Sequence, residues 1–128
     1  MAGVSKGAVG EVAAARFLRE KGFRILSSNY RCRQGEVDII AAIGQYIVFV
    51  EVKTRGQNAM YSPREAVTLA KQRRLIQTAL IYLSKYPTDL QPRFDVVEVV
   101  TAAESAYKIV EINHIMGAYE AGDLSRAF

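Results

Sequence analysis

Glu36-Val37-Asp38-Ile39-Ile40-Ala41-Ala42-Ile43-Gly44-Gln45-Tyr46-Ile47-Val48-Phe49-Val50-Glu51-Val52-Lys53 is the stretch on which the fold turns. Two Val/Ile-rich segments flank Gly44-Gln45, and a glycine in the first turn position favours a type II′ hairpin. In that hairpin, residues whose numbers sum to 89 face each other. Asp38 then lies opposite Glu51, and Glu36 opposite Lys53. Directly opposed side chains share one side of a sheet, with Cβ atoms about 4.5–5.5 Å apart. Two carboxylates that close repel unless a proton or a cation lies between them. An oxygen-only ligand set suits Mg²⁺ or Mn²⁺. Lys53 follows two residues later on the same face. The other face, from Val37 and Ile39 to Val50 and Val52, carries no charge, so helices should cover it.

A chain of 128 residues, half of them apolar, fits a single domain, 1–128, with one packed core. Its one cysteine, Cys32, excludes a disulfide framework and a cysteine-based zinc site. No apolar run reaches the length of a membrane span, and the first residues lack a signal-peptide core. The expectation is a soluble cytoplasmic protein. Residues 1–88 hold 14 Lys/Arg against 6 Asp/Glu, whereas residues 89–128 hold 3 against 7. Glu36, Asp38 and Glu51 are thus an acidic spot in a basic surround. A polyanion would be drawn to the surround, although lysine and arginine also serve solubility.

Outward from the hairpin, the spacing of Ala, Val, Leu and Phe predicts a helix from about Val4 to Lys21, stopped by Gly22. Glu11 lies on or beside its apolar stripe. There it either needs a partner or reaches solvent from the stripe's edge. Phe23–Tyr30 reads as a strand and Arg31–Gly35 as a basic turn. Ser62-Pro63-Arg64-Glu65 has the pattern of a capping box with proline in the first helical position. It predicts a helix to about Lys85, with Ala66, Leu69, Ile76, Ala79, Leu80 and Leu83 as its stripe. Phe94–Val100 and Lys108–Ile112 read as strands, and residues from Gly117 onward are weakly patterned. The order α-β-β-β-α-β-β implies an α/β fold, a mixed β-sheet flanked by helices.

Phosphodiester hydrolysis needs charge neutralisation, an activated water and a stabilised leaving oxygen. Asp38 and Glu51 can supply metal ligands, with the Val52 carbonyl as a further oxygen. Lys53 can position water or stabilise the transition state. Glu11 can assist through water or hold a second metal. A structural reading stands beside this one. In it, Glu36 and Lys53 form a cross-strand ion pair, and arginines such as Arg55 hold Asp38 and Glu51.

Val-Asp38-Ile-Ile and Val-Phe-Val-Glu51-Val-Lys53 resemble the signature of the PD-(D/E)xK nuclease superfamily, with Val37 where proline often stands. Gly10-Glu11, Gly22-Phe23, Asn29-Tyr30-Arg31, Gly35–Ile40, Phe49–Arg55 and Lys71-x-x-Arg74 resemble the bacterial UPF0102 family over about the first 100 residues. The arrangement is also similar to archaeal Holliday-junction resolvases. The resemblance implies a restriction-endonuclease-like fold and a Mg²⁺- or Mn²⁺-dependent endonuclease acting on DNA, branched DNA included. Glu11, Asp38, Glu51 and Lys53 would form its site. Arg31, Arg33, Arg55, Lys71 and Arg74 are the candidate DNA contacts, and a homodimer is compatible with the likeness.

Two other functions are open: a non-catalytic nucleic-acid-binding module, and a structural protein whose acidic C-terminal part meets a partner. His114 reads as a strand-end or surface residue rather than a catalyst. Cys32 reads as an incidental thiol despite flanking arginines. Tyr30 and Tyr61 read as packing residues before base-stacking ones.

Overall fold

In the computed structural model, residues 6–59 and 67–120 are described. Helix α1 (Lys6–Glu20) precedes three strands, β1 (Arg24–Cys32), β2 (Gly35–Ile43) and β3 (Tyr46–Gly56). Helix α2 (Leu69–Lys85) then leads into β4 (Gln91–Ala102) and β5 (Ser105–Tyr119). The strands form one five-stranded sheet in sequence order. All neighbours are antiparallel except β3 and β4, which run parallel because α2 carries the chain back between them. The element order is the expected one.

The hairpin register is also as read. Ile43 faces Tyr46, and the pairing continues through Ile39 and Val50. Gly44 has φ +54° while Gln45 does not enter the positive region, as a II′ turn requires. Ile39, Ala41, Val48 and Val50 pack under Ala14, Ala15 and Leu18 of α1. Ile40, Ile47 and Phe49 pack on the opposite face under Leu75, Ile76, Ala79 and Tyr82 of α2. Both faces of the hairpin are therefore covered. Leu18 is fully buried, which contributes roughly 2–3 kcal/mol before packing effects. Gly10 marks where α1 lies closest to the sheet, since a Cβ there would run into the Thr54 side chain.

Several boundaries differ from the sequence reading. Residues 60–66, which hold the Ser62–Glu65 box, Tyr61 and Ala66, lie outside the described residues, as do 1–5 and 121–128. Helix α2 starts at Leu69, and Thr68 caps it by accepting from the Lys71 N–H. Ile76 and Ala79 are buried as expected, and Leu83 packs against the core, but Leu75, Thr78 and Tyr82 complete the buried stripe while Leu69 and Leu80 are exposed. The helix turns its Leu75–Tyr82 face to the sheet, so Leu69 and Leu80, though apolar, fall outside it. Arg31 and Cys32 belong to β1, not to the turn. Strand β5 extends well beyond Lys108–Ile112 and includes Gly117, because its ladder to β4 carries residues whose own pattern is weak.

Candidate functional site where the hairpin opens

The hairpin pairing stops one step before Asp38 and Glu51. A regular ladder would next join Val37 and Val52 through both backbone bonds. Instead, the Val52 N–H donates to Asp38 Oδ2 at 2.8 Å. The aspartate side chain has replaced a backbone carbonyl as acceptor, and the strands part around it. Alternation breaks at the same place. Val37 packs on the α2 side and Ile39 on the α1 side, although they are two residues apart on one strand. On the neighbouring strand, Asn29 adopts φ 54°, the one positive-φ residue other than glycine among those described. Asparagine tolerates that conformation better than most side chains. Asn29, Ser28, Asp38 and Glu11 line one depression there.

Asp38 and Glu51 are both buried, at 7% and 5% exposure. Burial, then the Glu51 carboxylate within hydrogen-bonding reach, pushes the Asp38 pKa up from its ordinary value to about 8, against the lowering effect of the Val52 N–H. The two acids thus meet on one side of the hairpin, close enough for each to feel the other's charge. Glu11, half-buried on α1, adds its charge to Asp38 from further away. It also lines a groove of about 710 Å³ together with Lys53, Val52, Arg55 and the β4–β5 turn.

Two lysines converge on one oxygen of Glu51. Lys71 Nζ stands 2.6 Å from Glu51 Oε1, and Lys53 Nζ stands 3.4 Å from the same atom. Burial lowers the Lys53 pKa, and the neighbouring Lys71 lowers it further. Burial also opposes the charged form of Lys71, but its contacts with Glu51 outweigh that and raise its pKa. Lys71, expected among the DNA contacts, thus lies inside the carboxylate cluster. The sequence could not show this, since its helix docks from 20 residues away.

The cross-strand pair Glu36–Lys53 does not form, because the ladder ends before reaching it. Glu36 instead accepts from Arg31 Nε at 2.8 Å on the surface. Arg55 does not hold Asp38 or Glu51. Its Nε donates to Glu98 Oε2 at 2.7 Å, in a largely buried pair. Arg33 and Arg74 are exposed, and the β1–β2 turn brings them near each other, with Gly35 against Arg74.

A divalent cation fits this donor set. Two acceptor-only carboxylates are held together at an electrostatic cost that a cation would relieve. The Val52 carbonyl faces the same gap as its N–H, since both point to one side of an extended strand. Among the described residues, no three His, Cys, Asp or Glu side chains converge on one metal-holding point. Asp38 and Glu51 could hold such an ion only with water supplying most of the remaining ligands, a coordination Mg²⁺ commonly adopts.

The model of the family described as "Uncharacterised protein family UPF0102" matches residues 10–99. The chain belongs to the UPF0102 family. It is 53% identical over 94 residues to a UPF0102 protein of Symbiobacterium thermophilum, covering 73% of this chain and 80% of that one. It is 47% identical over 116 residues to one of Alkaliphilus oremlandii, covering 88% and 96%. A UPF0102 protein of Caldanaerobacter subterraneus subsp. tengcongensis is 42% identical over 114 residues, covering 88% and 93%. The stretch matched by the UPF0102 model includes Glu11, Asp38, Glu51, Lys53 and Lys71.

The UPF0102 protein also has a second pair of buried acids that sequence reasoning missed. Asp95 accepts from Arg93 twice, from the Gly117 N–H and from His114 Nε2, at 2.7–2.9 Å. His114 is therefore no strand-end or surface residue. It sits within β5, with its side chain 3% exposed, between Asp95 and Lys21 Nζ. A packed α1 and a long β5 bury it, and neither contact is visible in local sequence. Glu98 is held by Arg55 and Asn113. Cys32 is half-buried with its thiol 3.8 Å from the Thr78 hydroxyl, and Tyr30 packs edge-on against Tyr82. No helix among the described residues is long and apolar enough to cross a membrane.

Proposed function

We propose that this UPF0102 protein is a divalent-cation-dependent endonuclease that hydrolyses DNA phosphodiester bonds, branched duplexes included. The observation that carries this reading is the forced meeting of Asp38 and Glu51 where the hairpin opens, with the Lys53 amine beside them. Asp38, Glu51 and the Val52 carbonyl would hold Mg²⁺ or Mn²⁺. When bound, the ion supplies charge neutralisation at the phosphate and acidifies a water.

The chain's own groups do the rest. The Val52 N–H fixes the Asp38 carboxylate in place. Lys53, whose charged form is disfavoured by burial, can orient the attacking water through Nζ. Glu11, which lines the same groove as Lys53, would help to orient water there. Arg31, Arg33 and Arg74 contact flanking phosphates and set a salt-dependent affinity. Arg55, which also lines the groove, is already engaged by Glu98.

Incubation with duplex, single-stranded, flap and four-way DNA in Mn²⁺ tests the proposal. Cleavage of at least one substrate is expected, with loss in Lys53→Ala. Salt-sensitive binding without cleavage of any substrate would favour a non-catalytic binding module instead.

A further inference from the structure

Two ammonium groups on one carboxylate oxygen is more cationic partnering than Glu51 needs. Lys53 is adjacent in the strand and arrives with the hairpin. Lys71 comes from another element, yet makes the closer contact, 2.6 Å against 3.4 Å. Its backbone origin is fixed. The Lys71 N–H donates to Thr68 Oγ1, and Gln72 Nε2 donates to the Val67 carbonyl in the same turn. The long side chain is not fixed in this way. It is 35% exposed, whereas Glu51 is 6% exposed. A flexible, solvent-reaching cation is therefore tethered over a buried anion.

From this geometry we propose that Lys71 is a built-in counter-cation of the Glu51 site, competing with the divalent ion. The inference rests on the cation site proposed above. In the metal-free protein, Lys71 supplies part of the positive charge that Glu51 requires. A divalent ion ligated by Glu51 would lie next to the Lys71 ammonium, and like charges at that separation repel. Loading therefore requires the ammonium to swing toward solvent, which its exposure and its unbranched stem permit. Lys71 thus raises the concentration of free metal needed to fill the site. Its role is one of regulation through Glu51 rather than direct contact with reacting atoms.

Titration calorimetry with Mn²⁺ alone tests this on the full chain. The proteins compared are wild type, Lys71→Met, Lys71→Arg and Asp38→Asn. Methionine keeps the stem and the helix propensity but removes the charge, and thermal unfolding verifies that each variant is folded. Lys71→Met is expected to bind Mn²⁺ about tenfold more tightly than wild type, the scale of one charge-assisted contact. Lys71→Arg should stay near wild type, and Asp38→Asn should lose binding. Detectable binding in Lys71→Met with none in wild type would also support the competition. Equal or weaker binding in Lys71→Met would overturn it while leaving the cation site standing. Absence of binding in both wild type and Lys71→Met would overturn the cation site itself, and the competition with it.

Discussion

The sheet buries four carboxylates and treats them in two opposite ways. Asp95 and Glu98, on β4, are 0% and 1% exposed and surrounded by donors. Asp38 and Glu51, at the opening of the hairpin, are nearly as buried but are pressed against each other. Burial alone would raise the Asp95 pKa, yet bonds from His114, Arg93 and Gly117 more than offset it and hold it below the ordinary range. Burial and the Glu51 charge move Asp38 the other way. Desolvation is common to both regions, so the difference lies in the partners. A buried acid whose donors are all supplied by the fold is structural. A buried acid paired with another acid stores an unfavourable interaction that only a proton, a tethered ammonium or a cation can relieve.

The largest test of that contrast is catalytic. Asp38→Asn or Glu51→Gln should reduce Mn²⁺-dependent cleavage by about 10³-fold while leaving the fold intact, measured as initial rates on whichever DNA substrate the wild type cuts. Next comes His114→Ala, which removes one partner from fully buried Asp95. Urea unfolding should show a loss of about 3–4 kcal/mol, the cost typical of breaking a buried pair from one side. A loss below about 1 kcal/mol would mean that Asp95 does not depend on His114.

The pH dependence of the two regions should differ in sign. Because the folded-state pKa of Asp38 lies above its unfolded value, its share of stability is complete below about pH 4 and is lost as pH rises through about 8. Asp38→Asn avoids that loss. It should be about 2–3 kcal/mol more stable than wild type at pH 9 and equal to it at pH 4, by denaturant unfolding. Asp95 runs in reverse. Its depressed pKa makes its contribution present above the unfolded value and lost as pH falls through the folded one. The smallest effect belongs to the surface. Arg31 and Glu36 have side chains 74% and 50% exposed, so Arg31→Ala should change stability by less than about 0.5 kcal/mol. A loss comparable to that of His114→Ala would erase the distinction between screened and buried partners.

The hairpin was legible because its information is local. A glycine turn and a period of two set the register from Ile43–Tyr46 to Ile39–Val50, which leaves Asp38 and Glu51 next in line. The element order was legible for the same reason, and α1 announced itself by its stripe and its glycine stop. The ends of β5 were not. Its ladder to β4 includes residues such as Gly117, whose sequence does not favour a strand.

What the sequence determined by itself was the element order, the hairpin register and the identity of the two acids that meet, all read from local pattern along the chain. Tertiary structure alone decided how each charge is partnered. It ended the ladder at Ile39 and Val50, so Lys53 turned to Glu51 and Glu36 to the surface. It sent Arg55 to Glu98, buried His114 against Asp95 and brought Lys71 to Glu51. Periodicity says which face a side chain occupies. Which long, charged side chain reaches which buried oxygen depends on how separate elements dock, and those contacts span tens of residues that carry no local trace of them.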